Sequence, residues 1–254
     1  MLRALDLAKN LRWLNSNYAG VDWMPLRELD ARGVTVTCGS GLTSTAVAEF
    51  AVMGMLTVAK NYRAVVRAQD RHEWLQRAPG TRELAGSRAL ILGAGAIGQA
   101  IARMLRGFEV EVVAVSRSSG QDWRSQLGTF DWIVLAVPGT AETRGMIGAA
   151  EIAAMKPEAV LANFARADVI DQDALIAALE ERRIEAALLD LTDPEPLPSE
   201  NKLWTLENAH ITMHLSGIPT KASLKSAAER FIRNCGHFRR METLQAEVDL
   251  RKGY

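Results

Sequence analysis

The chain has 254 residues, 48% hydrophobic and 24% charged, which suits one large core or two modest ones and excludes a disordered or fibrous polypeptide. Thirty basic and thirty acidic side chains cancel, so no global positive field draws the chain onto nucleic acid or an anionic membrane, and a small or neutral partner is expected. Cys38 and Cys235 stand far apart in no metal-ligand spacing, so neither a disulfide framework nor a metal site is expected, and a reducing cytoplasm is the expected compartment.

The start, MLRALDLAKN, lacks the basic-then-apolar order of a secretion signal. Residues 1–42 carry two predicted strands, LRWLNS and VTVTC, with the turn-prone YAGVD between them. Residues 43–75 read as one long arm helix, whose most apolar stretch, AVAEFAVMGMLTVA, is interrupted by Glu49 and is too short to span a bilayer. Five short apolar runs follow: ALIL at 89–92, VEVVAV at 110–115, WIVLAV at 132–137, AVLANF at 159–164 and AALLDL at 186–191. Helical patterns separate several of them, notably IGQAIARMLRG and DQDALIAALEERR, the second opened by Asp171 as N-cap.

Strands alternating with helices predict a doubly wound parallel α/β sheet of the Rossmann kind, and continuous hydrophobicity within each strand fits burial on both faces. The tail from Thr220 reads as another helix, with Leu224, Phe231, Ile232, Cys235 and Phe238 largely on one apolar stripe. The expected division is a partial substrate domain from 1–42 plus 216–254, and a dinucleotide-binding domain at 43–215 that includes the arm helix.

Within that domain LGAGAIGQA places Gly93, Gly95 and Gly98 between a strand and a helix. Gly95 allows close approach of a pyrophosphate, Gly98 allows close packing of helix on strand, and the amides of Ala96 and Ile97 open the helix toward the ligand. A carboxylate about 20 residues further on holds the ribose hydroxyls of NAD in such units. Here Ser116 falls 18 residues after Gly98 and is followed by Arg117 and Ser118. Two hydroxyls and a guanidinium suit the 2′-phosphate of NADP by charge-assisted bonds, so NADP is the expected cofactor, with NAD as the alternative.

NFARADVIDQDALIAAL at 163–179, AALLDLTDPEPLP at 186–198 and ITMHLSG at 211–217 resemble the D-isomer-specific 2-hydroxyacid dehydrogenases. YAGVD, VAEFAV, VPGTAETRGMIG and the closing VDLRKGY agree with the same family, in family order, through nearly the whole chain. The resemblance implies a catalytic group of Arg166, Glu195 and His214, spaced 29 and 19 residues apart. Arg166 would grip the carboxylate of a 2-oxo acid, His214 would protonate its carbonyl oxygen, and Glu195 would orient the imidazole and favour its protonated form. The resemblance also implies that backbone amides at Ala19 and Gly20 hold the substrate carboxylate, that Asp190 faces the nicotinamide carboxamide, and that Pro138 and Thr143 line the cofactor.

The implied activity is hydride transfer from NADPH to C2 of a small 2-oxo acid, of the glyoxylate or hydroxypyruvate type, giving a D-2-hydroxy acid. A homodimer through the 43–75 arm is implied as well. A non-catalytic nucleotide-binding or corepressor-like scaffold on the same fold is the alternative. Three departures stand out. Ala167 replaces a glycine after the arginine, Met213 replaces a proline before the histidine, and the first strand-and-helix units of the family's substrate domain have no counterpart. An incomplete small sheet and an impaired turnover are therefore expected.

Overall fold

In the computed structural model, which describes residues 2–254 and side chains from Leu5 onward, two compact units divide the chain. The smaller contains the segment up to Ser44, residues Pro138–Ala141 and Ile218–Tyr254; the larger contains Thr45–Val137 and Glu142–Gly217. The smaller unit opens with α1 (Leu2–Leu7), β1 (Trp13–Asn15), α2 (Leu26–Ala31) and β2 (Thr35–Thr37). β1 and β2 pair in parallel, Trp13 opposite Thr35. Their core is modest: Val21, Met24, Leu29, Val34, Val36 and Val248 are its chief buried residues.

The expected single helix over 43–75 is two helices, α3 (Ser44–Ala59) and α4 (Tyr62–Asp70). Asn61 interrupts them at φ 44 and ψ 48, left-handed angles that asparagine tolerates better than most residues. From there the larger unit runs β3 (Arg88–Leu92), α5 (Ala96–Gly107), β4 (Glu111–Val115), β5 (Trp132–Leu135), α6 (Ala149–Ala153), β6 (Val160–Asn163), α7 (Gln172–Glu180), β7 (Ala186–Leu189) and β8 (Ala209–Ile211). Asp171 caps α7, its carboxylate accepting from the Ala174 amide at 3.0 Å.

The large sheet is wholly parallel, with order β4-β3-β5-β6-β7-β8. It has six strands where five apolar runs were expected. β8 is only three residues long, its centre is His210, and its burial is partial, so the composition signal is weak. Side chains alternate between the faces as strand geometry requires. Ala89, Ile91, Trp132 and Val134 face a core with Val47, Ala51 and Met55 of α3 and Ile101 and Leu105 of α5. Leu90, Leu92, Ile133 and Leu135 face another with Ile152 of α6 and Leu175 and Leu179 of α7. Each such fully buried Leu or Ile is worth about 1.5–3 kcal/mol.

The last helix, α8 (Lys221–Arg239), belongs to the smaller unit and is capped by Thr220, whose hydroxyl accepts from the Ser223 amide. Its expected apolar stripe is not a core face. Leu224, Phe231 and Ile232 are exposed, and the buried positions are Ser223 and Asn234. Asn234 is buried because its amide group bonds both the carbonyl and the amide of Gln245. Phe231 instead stacks on Trp13 at 5.4 Å between ring centroids, and Phe238 packs tilted against the same ring at 5.5 Å. Among the described residues no helix is long and apolar enough to cross a membrane.

Candidate active site

The strand order reverses direction between β3 and β5, and ligands of open parallel sheets bind beyond the carboxyl ends of strands at such a switch point. The glycine turn lies there. Gly93 follows β3 at φ +109, and a Cβ on it would overlap the Ala136 carbonyl after β5. A Cβ on Gly98 would overlap the Gly93 carbonyl, so the first turn of α5 sits directly on the strand end. Gly95, the N-cap, has no atom within 4 Å of where a Cβ would stand. Ala96 and Ile97 begin the helix, and amides of a first helical turn have no carbonyl partner within the helix. A close-packed turn, open space over Gly95 and these amides fit a pyrophosphate.

β4 ends at Val115, one strand outward from the glycine turn. Ser116 caps a short 3-10 turn over Arg117–Ser119, and the Ser116 and Ser118 hydroxyls lie 3.0 Å apart. Arg117 is not turned freely to solvent. Its Nη1 and Nη2 each lie 2.8 Å from a different carboxylate oxygen of Glu142, a two-pronged ion pair.

Three adjacent strands deliver the expected catalytic residues. Asn163 of β6 is in register with Leu189 of β7, and Leu189 with Ile211 of β8. Arg166, Glu195 and His214 follow those strand ends by a few residues, so all three leave the same edge of the sheet although they are far apart in the chain. Arg166 is half-buried and its Nη1 donates to the Ala165 carbonyl at 2.8 Å. Asn163, buried at the end of β6, braces this turn by donating to the Arg166 carbonyl and accepting from the Ala165 amide. Ala167 lies in a 3-10 turn with ordinary backbone angles, so replacing the family's glycine causes no strain there.

Glu195 holds the histidine. Its Oε2 lies 2.8 Å from His214 Nδ1, and its Oε1 accepts from the Thr192 amide at 3.2 Å. His214 and Met213 both have left-handed backbones, at φ 56 and 54. Asp190, 3% exposed, lies under this turn. Its carboxylate accepts from the Thr212 hydroxyl at 2.6 Å and from the Ser216 amide and hydroxyl, and its carbonyl accepts from the His214 amide.

Ala19 and Gly20 lie in the smaller unit, in the loop after β1, where Ser16 Oγ accepts from the Tyr18 amide and the Trp23 indole donates to the Gly20 carbonyl. Pro138 also groups with that unit, whereas Thr143 belongs to the larger one. Sequence reasoning did not single out Glu142, Asn163, Thr212 or Ser216. Asn163 announces itself as the polar last residue of an apolar strand, and Thr212 and Ser216 flank His214 at two residues on either side. Glu142 carries no such signal, because only the fold brings it to Arg117.

The sequence profile described as "D-isomer specific 2-hydroxyacid dehydrogenase, NAD binding domain" matches residues 52–216. The chain is 34% identical to a glyoxylate reductase of Pyrococcus furiosus over 246 residues, covering 89% of this chain and 73% of that one. A crystal structure of a D-isomer specific 2-hydroxyacid dehydrogenase from Xanthobacter autotrophicus Py2, in complex with NADPH and MES, is similar with a TM-score of 0.82 at 31% identity, over 96% of this chain and 80% of that one. A glyoxylate reductase structure from Paecilomyes thermophila is similar with a TM-score of 0.87 at 25% identity, over 98% and 79%.

Proposed function

Because the chain belongs to the D-isomer-specific 2-hydroxyacid dehydrogenases, nicotinamide-dependent oxidoreductases acting on 2-oxo and 2-hydroxy acids, we propose that it is a cytoplasmic NADPH-dependent reductase of a small 2-oxo acid of the glyoxylate or hydroxypyruvate type. The observation that carries this reading is the 2.8 Å contact between Glu195 and His214, formed between loops that follow different strands.

The bound cofactor supplies a hydride to C2 of the substrate. As the carbonyl oxygen gains negative charge it must be met by a proton. His214 holds that proton at Nε2, since Nδ1 is engaged with Glu195. Glu195 fixes the ring and stabilises the imidazolium by its charge, while the Thr192 amide fixes Glu195 in turn. Arg166 grips the substrate carboxylate with its planar fork, supported by Asn163 behind it. Asp190 positions the histidine-bearing turn and presents its strand end to the nicotinamide carboxamide. Gly93, Gly95, Ala96, Ile97, Gly98 and Thr143 hold the dinucleotide, and Ser116, Arg117 and Ser118 receive the 2′-phosphate.

Exposed Met53, Tyr62, Val66 and Trp74 on and beside α3 and α4 support the arm as a homodimer contact; light scattering of the chain and of Trp74→Asp tests it. The decisive assay for the activity follows nicotinamide absorbance with NADPH or NADH against glyoxylate, hydroxypyruvate, pyruvate and longer 2-oxo acids. Oxidation of NADPH by the short acids is expected. Cofactor binding without oxidation by any acid would overturn the reading and favour a binding scaffold.

A further inference from the structure

The ion pair between Arg117 and Glu142 has an unusual placement. Arg117 follows β4 and Glu142 follows β5, and β3 with its glycine turn lies between those strands. Adjacent strands are about 4.8 Å apart, so the pair ties together two loops on either side of the turn that fits a pyrophosphate. Both prongs of the guanidinium are taken, at 2.8 Å each, and a two-pronged carboxylate is the geometry that a phosphate would otherwise satisfy. Neither residue has a structural duty in the core: the Arg117 side chain is 67% exposed and that of Glu142 59%.

We infer that Glu142 is a specificity-determining residue that competes with the 2′-phosphate of NADP for Arg117 and so limits the preference for NADP over NAD. The inference rests on the reading of Arg117 as the 2′-phosphate receptor. Binding a cofactor with a 2′-phosphate requires the guanidinium to exchange one anion for another, and leaves the Glu142 carboxylate beside the new dianion. A cofactor with a plain 2′-hydroxyl offers no such anion, and the pair stays closed. The cost therefore falls on one cofactor only. Exposed ion pairs are weak, and a two-pronged arginine pair sits at the upper end of their range, so the expected effect is a moderate change in affinity.

The test is equilibrium titration of NADPH and of NADH into the full chain and into Glu142→Gln, Arg117→Ala and the double variant, at fixed ionic strength. Glu142→Gln keeps the side chain's length and removes its charge. It is expected to tighten NADPH about 3- to 10-fold and to leave NADH within about twofold. In the Arg117→Ala background the same substitution is expected to lose most of its effect. If Arg117→Ala selectively weakens NADPH while Glu142→Gln changes neither cofactor, or both equally, Glu142 has no selective role and the inference falls alone. If Arg117→Ala weakens both cofactors equally, or neither, the reading of Arg117 falls and the inference falls with it. Both side chains are exposed, so a thermal melt matching the parent chain establishes that any change in affinity is local.

Discussion

The backbone amide of His214 donates to the main-chain carbonyl of Asp190 at 2.6 Å, while the carboxylate of the same aspartate accepts from Thr212 and Ser216 on either side of the histidine. A single buried residue thus holds the histidine-bearing turn at both flanks and at its centre. The imidazole is anchored separately by Glu195. Ring orientation and backbone placement therefore have different causes, and they are separable by mutation.

Removing the imidazole removes the proton donor. His214→Ala is expected to lower kcat by about 10²- to 10⁴-fold and to leave the NADPH dissociation constant within about twofold. Glu195→Gln retains an acceptor for Nδ1 but loses the charge that stabilises the imidazolium, so a smaller fall of about 10- to 100-fold is expected. Steady-state kinetics with cofactor titration checks both; an active alanine variant would end the assignment of His214.

Ser216→Ala deletes the hydroxyl donated to buried Asp190. Hydrogen bonds to charged groups contribute about 1.5–3 kcal/mol, so a loss of stability of that order is expected by urea unfolding. Because Asp190 also places the His214 backbone, kcat is expected to fall while the dissociation constant for NADPH changes little. Unchanged kcat in a destabilised variant would mark the bond as purely structural.

Met213 stands where relatives of this family carry proline, yet its φ is 54. A proline ring fixes φ near −65°, so this turn excludes the residue the family uses. Met213→Pro is expected to destabilise the chain by about 2–3 kcal/mol and to displace His214, whereas Met213→Gly relieves about 1 kcal/mol of left-handed strain. Parallel unfolding curves of the two variants check the opposite signs.

His210, the centre of β8, is pushed down to about 4 from its ordinary 6.5, first by burial and then by the neighbouring Arg63 and Arg67 guanidiniums. Between those two values the unfolded chain binds a proton that the folded chain refuses, so stability falls as pH drops from about 6.5 toward 4. His210→Gln cannot bind that proton. Between pH 7 and 4.5 the parent chain is expected to lose on the order of 2 kcal/mol more than the variant. Equal losses in denaturant titrations would show that His210 is not responsible.

Much of this arrangement is legible in the linear chain. Branched apolar runs specify β3, β5, β6 and β7, which are buried on both faces, whereas the apolar run of β4 lies at the sheet edge and is only partly buried. Asp171 and Thr220 mark helix starts through carboxylate and hydroxyl groups that satisfy first-turn amides. Gly93, Gly95 and Gly98 identify the strand-to-helix turn by their spacing, but only the need at Gly98, which packs on the Gly93 carbonyl, is local; Gly93 is crowded by Ala136, which the fold brings in from the end of β5. Elsewhere local pattern misleads. The apolar residues of α8 have helical spacing, but periodicity cannot say whether a core exists opposite them, and Leu224, Phe231 and Ile232 are exposed. The break at Asn61 depends on a backbone state that asparagine tolerates without demanding.

What the sequence by itself determined is the set of chemical groups and the order of the elements that carry them: a guanidinium after β6, a carboxylate after β7 and an imidazole after β8. Only the tertiary structure decided that parallel registration of those three strands would bring their following loops to one sheet edge, with Glu195 on His214. It alone paired Arg117 with Glu142 and wrapped the His214 turn around Asp190. The physical reason is that strand pairing and hydrogen bonding act through space, at distances of a few ångströms, between residues whose separation along the chain carries no record of that proximity.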